Sequence, residues 1–351
     1  MLKLFCKLSI FQFSQILNRK CDHALTHIYD LLIIGGGPVG LFTAYFASMR
    51  NADVAIIESL PQVGGQANAL FPEKEIYDIG GIPKIKAKQL IQQQLAQLEL
   101  FQPEIKLSTT VDNIIEQADG NLLVTTNHGE LQAKAVIIAI GTGSFAPRKL
   151  NNVYDPALED NGQVTYFVKN LADFADQNVM VAGGGDSAVD WALALENVAQ
   201  SVTIIHRRDQ FRGLESSVQK LRDSTVKIMT PYLLNQVTPA ADQLQIDLKK
   251  VKTDDHQVVA ADKLLINYGF VSDSRLLRQW QLGLAGSKIK VNTKMETNRP
   301  KVYAVGDAVT YPGKLDLIAV GYAEAPIAVT TALQTIYPEK IQPLHSTSLF
   351  N

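Results

Sequence analysis

The sequence predicts an α/β protein built around two nucleotide-binding units, and three observations carry that prediction. An apolar strand runs into a glycine-rich turn twice. The first copy takes Leu31-Leu32-Ile33-Ile34 into Gly35-Gly36-Gly37-Pro38-Val39-Gly40, and the second takes Val179-Met180-Val181-Ala182 into Gly183-Gly184-Gly185-Asp186-Ser187-Ala188. Each turn leads to a helix-forming stretch (Leu41–Arg50; Val189–Ala199) and a second apolar strand at the same spacing, so that Glu58 lies 23 residues after Gly35 and His206 lies 23 after Gly183. The closing residues differ in charge, a carboxylate at Glu58 and the basic triplet His206-Arg207-Arg208. Strand, glycine turn, helix and strand in this order describe two Rossmann-like, three-layer dinucleotide-binding domains.

The turn works through backbone geometry. Free N–H groups and the helix dipole at a helix start attract a pyrophosphate. Gly35 and Gly183 permit the tight turn, Gly37 and Gly185 let the backbone approach phosphate, and Gly40 or Ala188 allows close helix–strand packing. Ser187 joins the second site at the helix start. One such turn alone is weak evidence, since glycine-rich turns are common, but the full context occurs here twice.

The closing residues discriminate the ligands. A carboxylate accepts hydrogen bonds from a ribose 2′-OH, so Glu58 suits FAD or NAD and would repel a 2′-phosphate. His206-Arg207-Arg208, with Arg212 four residues after Arg208, offers guanidinium forks matched to a phosphate dianion and reads as an NADPH site. A solvated charged turn is the competing reading, but the run falls where the fold places the ribose.

Composition is consistent with this. The 351 residues leave room for two domains of common size. A hydrophobic content of 46% and a charged content of 19% indicate a substantial core, and a net charge of −2 gives no footprint for nucleic acid. No apolar run approaches a membrane-spanning length. The only cysteines, Cys6 and Cys21, precede the first nucleotide strand, so there is no C-x-x-C and no set of thiolates for a four-cysteine cluster. Electrons reaching a flavin would have to leave to a group outside the polypeptide.

The domains are expected at 28–145 plus 286–351 for the first, discontinuous unit and 146–285 for the second. Residues 1–27 read as an extension of the working protein. Their apolar part is interrupted by Gln12, Ser14 and Gln15 and lacks a small-residue cleavage site, with a membrane-surface amphipathic helix as the alternative. A cytoplasmic location is expected. Ile91–Leu100 reads as a helix. Ile105–Val111, Asn113–Gln117 and Leu122–Thr126 read as strands, and Ala135–Ile140 as a buried strand ending in the turn Gly141-Thr142-Gly143. In the second unit Val226–Met229, Leu244–Leu248 and Lys263–Tyr268 read as strands. Val302–Val305 leads into Gly306-Asp307, whose acid either binds a polyol hydroxyl or caps the next turn. Val320–Thr335 reads as a helix, with Pro326 tolerated only near its start.

Several segments carry a resemblance to a known family. They are Gly64-Gly65-Gln66, Phe71-Pro72-Glu73-Lys74, Gly183 through Trp191, His206 through Arg212, Asn267-Tyr268-Gly269-Phe270-Val271, Lys294 through Asn298, and the tail Gln342 through Phe350. From Tyr29 to Phe350 the chain resembles the two-dinucleotide-domain flavoproteins of the thioredoxin reductase family, and within it the ferredoxin/flavodoxin–NADP⁺ reductases of the thioredoxin-reductase-like type. The resemblance implies that Glu58 holds the FAD ribose, Gln66 approaches the flavin, and Phe71 lies over one face of the isoalloxazine. It also implies that Val111 meets the adenine through its backbone, Phe145 lines the flavin pocket and Asp307 takes the ribityl hydroxyl. The tail would cross to a partner subunit of a homodimer, with His345 stacking on the flavin and Thr347 touching it.

The implied activity is electron transfer between NADPH and ferredoxin or flavodoxin by way of FAD, with no assigned catalytic acid or base and no metal. Thioredoxin reductases place a C-x-x-C in the nucleotide domain, and its absence here points to an external one-electron carrier. Lys84, Lys86, Lys88 and Lys169 are candidates for steering such an acidic partner. An NADPH diaphorase or oxidase reducing quinones, ferric chelates or oxygen is the alternative enzyme, and a non-catalytic NADPH-sensing flavoprotein the alternative from another class.

Overall fold

Residues 27–143, 146–150, 152–270 and 274–340 are described by the computed structural model. Both glycine turns stand between a buried strand and a helix. In the first unit strand β1 (Ile28–Ile34) leads into helix α1 (Pro38–Met49), followed by β2 (Val54–Ile57), α2 (Ala87–Leu98) and β3 (Glu104–Lys106). The meander β4 (Val111–Glu116), β5 (Leu122–Thr126) and β6 (Gly129–Ile138) comes next. The parallel order is β3-β2-β1-β6, and the N-terminal half of β6 pairs antiparallel with β5.

The second unit repeats this plan. Strands β7 (Val164–Thr165), β8 (Asn178–Ala182), β9 (Ser201–Ile205), β10 (Lys227–Met229) and β14 (Lys263–Ile266) form a parallel sheet in the order β10-β9-β8-β14-β7. Helices α3 (Asp186–Glu196) and α4 (Glu215–Asp223) accompany it. An antiparallel sheet of β11 (Tyr232–Ala240), β12 (Gln243–Lys250) and β13 (His256–Ala261) packs on its other side. The chain then returns to the first sheet. Strand β15 (Val302–Ala304) pairs parallel with the end of β6, and helix α5 (Ile318–Ile336) closes that layer, so the first unit is discontinuous as predicted.

Alternation along the strands explains the three layers. Leu31 and Ile33 of β1 face a core shared with Leu41 and Ala44 of α1, Ile91 of α2 and Val329 of α5, whereas Leu32 and Ile34 face the meander and Trp280. In β8, Val179 and Val181 face Ala188, Trp191 and Leu195 of α3, and Met180 and Ala182 face Leu244 and Ile246 of β12. A strand covered on both faces must be apolar throughout, which is why these strands read as unbroken runs.

Some elements differ from expectation. Ile105–Val111 is not one strand: β3 stops at Lys106, and the Ser108 and Thr109 amides turn away to donate to the Leu60 and Glu58 carbonyls at 2.9 and 2.8 Å. The helix expected at 91–100 starts earlier, at Ala87, with Lys86 and Gln89 forming its cap. Only one of the three strands of the β11–β13 sheet was legible, because exposed polar positions blur alternation on a sheet with a wet face. Pro326 sits inside α5, not near its start. An interior proline costs about 3 kcal/mol. Burial of Ala325, Ala328, Val329, Ala332 and Leu333 on the adjacent turns offsets that cost, at about 0.8 kcal/mol per buried methylene-sized group.

The far end of α5 is tied to the sheet by charge. Asp30 of β1 accepts from Lys134 Nζ of β6 at 2.9 Å, from the Tyr337 hydroxyl at 2.5 Å and from the Asp53 amide at 3.1 Å. Burial pushes the Asp30 carboxyl up, but the hydrogen bonds from Tyr337, Lys134 and Asp53 hold it below its ordinary value. A carboxyl depressed in the folded state adds stability above its unfolded pKa, and the contribution is lost as pH falls through the folded value. Asp30→Asn is expected to lower stability by about 1–3 kcal/mol at neutral pH. In urea titrations at stepped pH, the gap from the parent protein should close below pH ~4; a gap constant down to acid pH would mean that the ionised form contributes nothing.

Candidate functional site

The glycine turns and their closing residues gather at the C-terminal ends of the parallel strands, where open α/β sheets place their ligands. In the first unit Gly37 is the N-cap of α1 and Pro38 is its first residue, a position where a missing N–H costs no helical bond. The packing glycine is fully constrained, since a Cβ on Gly40 would lie 1.9 Å from the Gly35 carbonyl oxygen. Above Gly37 the space is open: an added Cβ would meet only Gly65, at 3.9 Å.

Glu58, 4% exposed, stands at the end of β2. Its Oε2 accepts from the Gly36 amide at 2.8 Å, and its Oε1 accepts from the Leu60 amide at 2.8 Å and the Ser59 hydroxyl at 3.2 Å. A carboxylate offers about four acceptor positions, so Oε2 retains one for a further donor.

Three further segments close around this turn. The Gly64 amide donates to the Gly36 carbonyl at 2.7 Å, and Gln66 Nε2 donates to Thr142 Oγ1 at 2.7 Å, which joins Gly64-Gly65-Gln66 to the turn after β6. The Val305 amide donates to the Ile138 carbonyl at 2.9 Å and so brings Gly306-Asp307 to the same strand ends. Asp307 is half-buried, and among the described residues no hydrogen-bond donor is assigned to its carboxylate. Burial, then repulsion from Asp316, raises its pKa above the ordinary value against the pull of Lys314 and Lys288. Val111 is buried at the start of β4. Phe71 packs edge-on against Phe270 of the second unit with ring centroids 6.1 Å apart, and Phe270 stacks on Phe167. Lys74, just beyond Phe71, forms a 2.9 Å ion pair with Asp190 of α3. Phe145, His345 and Thr347 lie outside the described residues.

In the second unit Gly185 caps α3 with nothing within 4 Å of an added Cβ, and Ser187 is half-buried on the first turn. The Arg212 amide donates to the Gly184 carbonyl at 2.7 Å, pinning the 206–212 loop to the glycine turn. Arg207, Arg208 and Arg212 are exposed, and among the described residues no carboxylate pairs with their guanidinium groups. His206 behaves differently from a member of a basic triplet. Its ring lies against Gly184, where an added Cβ would come within 2.3 Å of it, and packs near Phe211 at 5.5 Å. Burial, then repulsion from Arg207, Arg212 and Arg208, lowers its pKa and favours the neutral imidazole. The three exposed arginines thus carry fixed charge at this loop, and packing against Gly184 sets His206 apart from them. Among the described residues, two buried nitrogens near the turn, His206 Nε2 and Asn267 Nδ2, have no hydrogen-bond partner. Orphaned buried polar atoms beside an open helix N-terminus fit a polar ligand.

These features agree with what the chain is similar to. A family model described as pyridine nucleotide-disulphide oxidoreductase matches residues 29–332. The chain belongs to this family. It is 53% identical over 323 residues to ferredoxin–NADP reductase 2 of Latilactobacillus sakei subsp. sakei, covering 92% of this chain and 98% of that protein. It is 51% identical over 328 residues to ferredoxin–NADP reductase of Lacticaseibacillus paracasei, covering 93% and 100%. Its fold is similar to the crystal structure of Lactococcus lactis thioredoxin reductase (FR conformation), with a TM-score of 0.76, 26% identity and coverage of 88% and 99%. Unlike the disulphide reductases that give the pyridine nucleotide-disulphide oxidoreductase family half its name, this member has no C-x-x-C.

Sequence reasoning placed Thr142 and Asn267 only within a turn and a resemblance segment and gave neither a role of its own. It missed Glu324, which did carry a signal as the only charged residue of α5. The packing of the first turn makes a direct prediction. Gly40→Ala should cost about 1–3 kcal/mol in urea unfolding through overpacking, whereas Gly185→Ala, which has room, should stay within about 1 kcal/mol of the parent protein. Equal losses in the two variants would show that the tight approach at Gly40 is not what constrains the turn.

Proposed function

We propose that this chain is a flavin-dependent reductase that passes electrons between NADPH and a one-electron carrier, ferredoxin or flavodoxin, by way of FAD. The observation that carries the reading is the contrast between two like loops, one closed by the anchored Glu58 carboxylate and the other by three unpaired guanidinium groups. Glu58 Oε2 has capacity for one more donor, which suits the ribose 2′-OH of FAD and repels a 2′-phosphate. Arg207, Arg208 and Arg212 suit the 2′-phosphate of NADPH, with His206 packed beside them against Gly184.

On this reading residues 28–145 and 286–351 hold FAD and residues 146–285 hold NADPH. Gly35, Gly37 and Gly40 seat the FAD pyrophosphate, Val111 borders the adenine, and Gln66, Phe71 and Asp307 approach the ribityl–flavin portion. Gly183, Gly185 and Ser187 seat the NADPH pyrophosphate at the start of α3. FAD held there would supply a two-electron acceptor for the hydride of NADPH that can pass electrons on singly. The protein's own residues orient the two nucleotides and exclude water. The two relatives described above carry ferredoxin in their names at 53% and 51% identity, which supports the carrier. Of the lysines considered for docking, Lys84 is paired with Glu75 at 2.8 Å, and Lys86 and Lys88 are both paired with Glu73. Together these three lysines and two glutamates leave one net positive charge, and Lys169, exposed and with no assigned partner among the described residues, adds another. The working form is a homodimer.

Adding ferredoxin to enzyme, NADPH and cytochrome c is expected to raise the rate of cytochrome c reduction severalfold. Equal rates with and without the carrier would favour a diaphorase. Arg207→Ala is expected to raise KM for NADPH about tenfold or more and leave NADH little affected, since a lost charge-assisted contact costs about 1.5–3 kcal/mol. An unchanged NADPH/NADH preference would count against the arginine loop as the selector.

A further inference from the structure

A second buried charge cluster lies directly beneath Gly306-Asp307. Glu324 is 2% exposed on the second turn of α5. Its Oε2 accepts from the Gly306 amide at 2.7 Å, and its Oε1 accepts from the Tyr311 hydroxyl and from Lys314 Nζ, each at 2.6 Å. The Lys314 side chain is 3% exposed, so the pair is removed from water on both sides. A buried ion pair often stabilises a fold less than well-packed apolar residues would, and Gly306, the residue it grips, belongs to the candidate site.

The surrounding packing leaves the turn no freedom of its own. A Cβ on Gly321 of α5 would lie 2.4 Å from Val39 Cγ2 and 3.3 Å from Gly306 Cα. Val39 is the second residue of α1, so the glycine turn, the Gly306-Asp307 turn and α5 meet at one point. Lys314 and Glu324 also act electrostatically on Asp307 with opposite signs, so the balance between them is felt where Asp307 faces outward.

We propose that Glu324 and Lys314, with Tyr311, are positioning residues: they fix the Gly306-Asp307 turn, and through their charge balance they set the reduction potential of the flavin held against it. The proposal rests on the reading that this turn borders the flavin. Paired, the two charges nearly cancel at a distance. Removing either one leaves a charge of known sign in a low-dielectric interior, where it acts over a longer range than at the surface. An unpaired Lys314 ammonium stabilises the reduced flavin, and an unpaired Glu324 carboxylate stabilises the oxidised form.

The test uses the full-length holoenzyme and two readouts besides activity: the flavin midpoint potential, from absorbance during dye-equilibrated reduction, and the FAD dissociation constant. Glu324→Gln is expected to raise the potential, Lys314→Met to lower it, and the Lys314→Met/Glu324→Gln double variant to return it near the parent value. Each single change should alter the ratio of reduced to oxidised flavin at fixed potential on the order of tenfold. Loss of the grip on Gly306 should raise the FAD dissociation constant about tenfold in Glu324→Gln.

Shifts of the same sign in both single variants, or potentials all equal to that of the parent protein, would overturn the proposal and leave the pair a purely structural feature. If Glu324→Gln does not accumulate as folded protein, comparing Lys314→Met with the neutral double variant decides the same point. Asp307→Ala separates the underlying reading from the proposal. Unchanged FAD affinity in that variant would show that the turn does not border the flavin, whereas weakened affinity together with unmoved potentials in the charge variants would sink the charge-balance idea alone.

Discussion

The buried Glu58 carboxylate is the contact on which the first site depends. It joins the end of β2 to the glycine turn after β1 through the Gly36 amide, and to its own following loop through the Leu60 amide. Those amides point into a region that a backbone cannot leave unpaired without cost, and a single ionised side chain satisfies both. Gly36 is held from this side, and on the other there is no room for a side chain at Gly40 beside the Gly35 carbonyl, so the turn is tightly constrained. The Ser108 and Thr109 amides then close the loop from β3, and Gly64 closes it from the following segment. The carboxylate proposed to read a ribose is thus also the fastener of the turn proposed to hold the pyrophosphate.

The second unit solves the same problem with an aromatic ring in place of a charge. His206 occupies the position of Glu58, but its ring packs on Gly184, and the Arg212 amide, not a side chain, holds the turn. Burial and the nearby arginines lower the pKa of the imidazole. Leaving the fastening to a ring and a backbone bond frees three guanidinium groups to face outward. A site that selects a dianion needs unpaired positive charge, and a site that rejects one needs a fixed negative charge. The two loops divide these requirements between them on one backbone plan.

Besides Leu277, Trp280 and Leu282, which pack into the first unit's core, two contacts between the units adjoin the candidate sites. Phe71 and Lys74 follow the Gly64-Gly65-Gln66 loop and reach Phe270 and Asp190 of the second unit. Each comes from a segment adjoining a candidate nucleotide position, so any change in how the units meet would be felt at both sites. The aromatic contact is edge-on and the ion pair is partly exposed, and neither kind of contact is individually strong.

The fold was largely legible in the sequence because both parallel sheets are covered on two faces, which forces continuous apolar strands and punctuates them with glycine turns. Residues whose role is set by backbone geometry, such as Gly35, Gly40 and Gly183, could be read directly, as could Glu58 and the arginines at the end of the second strand of each unit. What could not be read depends on contacts between distant segments. The wet-faced β11–β13 sheet lacks a strong period, and Pro326 is tolerated deep in α5 because its neighbours are buried. His206 packs against Gly184, where burial and the nearby arginines lower its pKa, and Lys314 finds Glu324 only when α5 folds back under Gly306. Local pattern by itself determined where the two strand–glycine-turn–helix units lie and the sign of the charge expected at the end of the second strand of each. Tertiary structure alone decided which of those charges are buried, paired or free, because burial and pairing are properties of neighbours that the chain brings together only on folding.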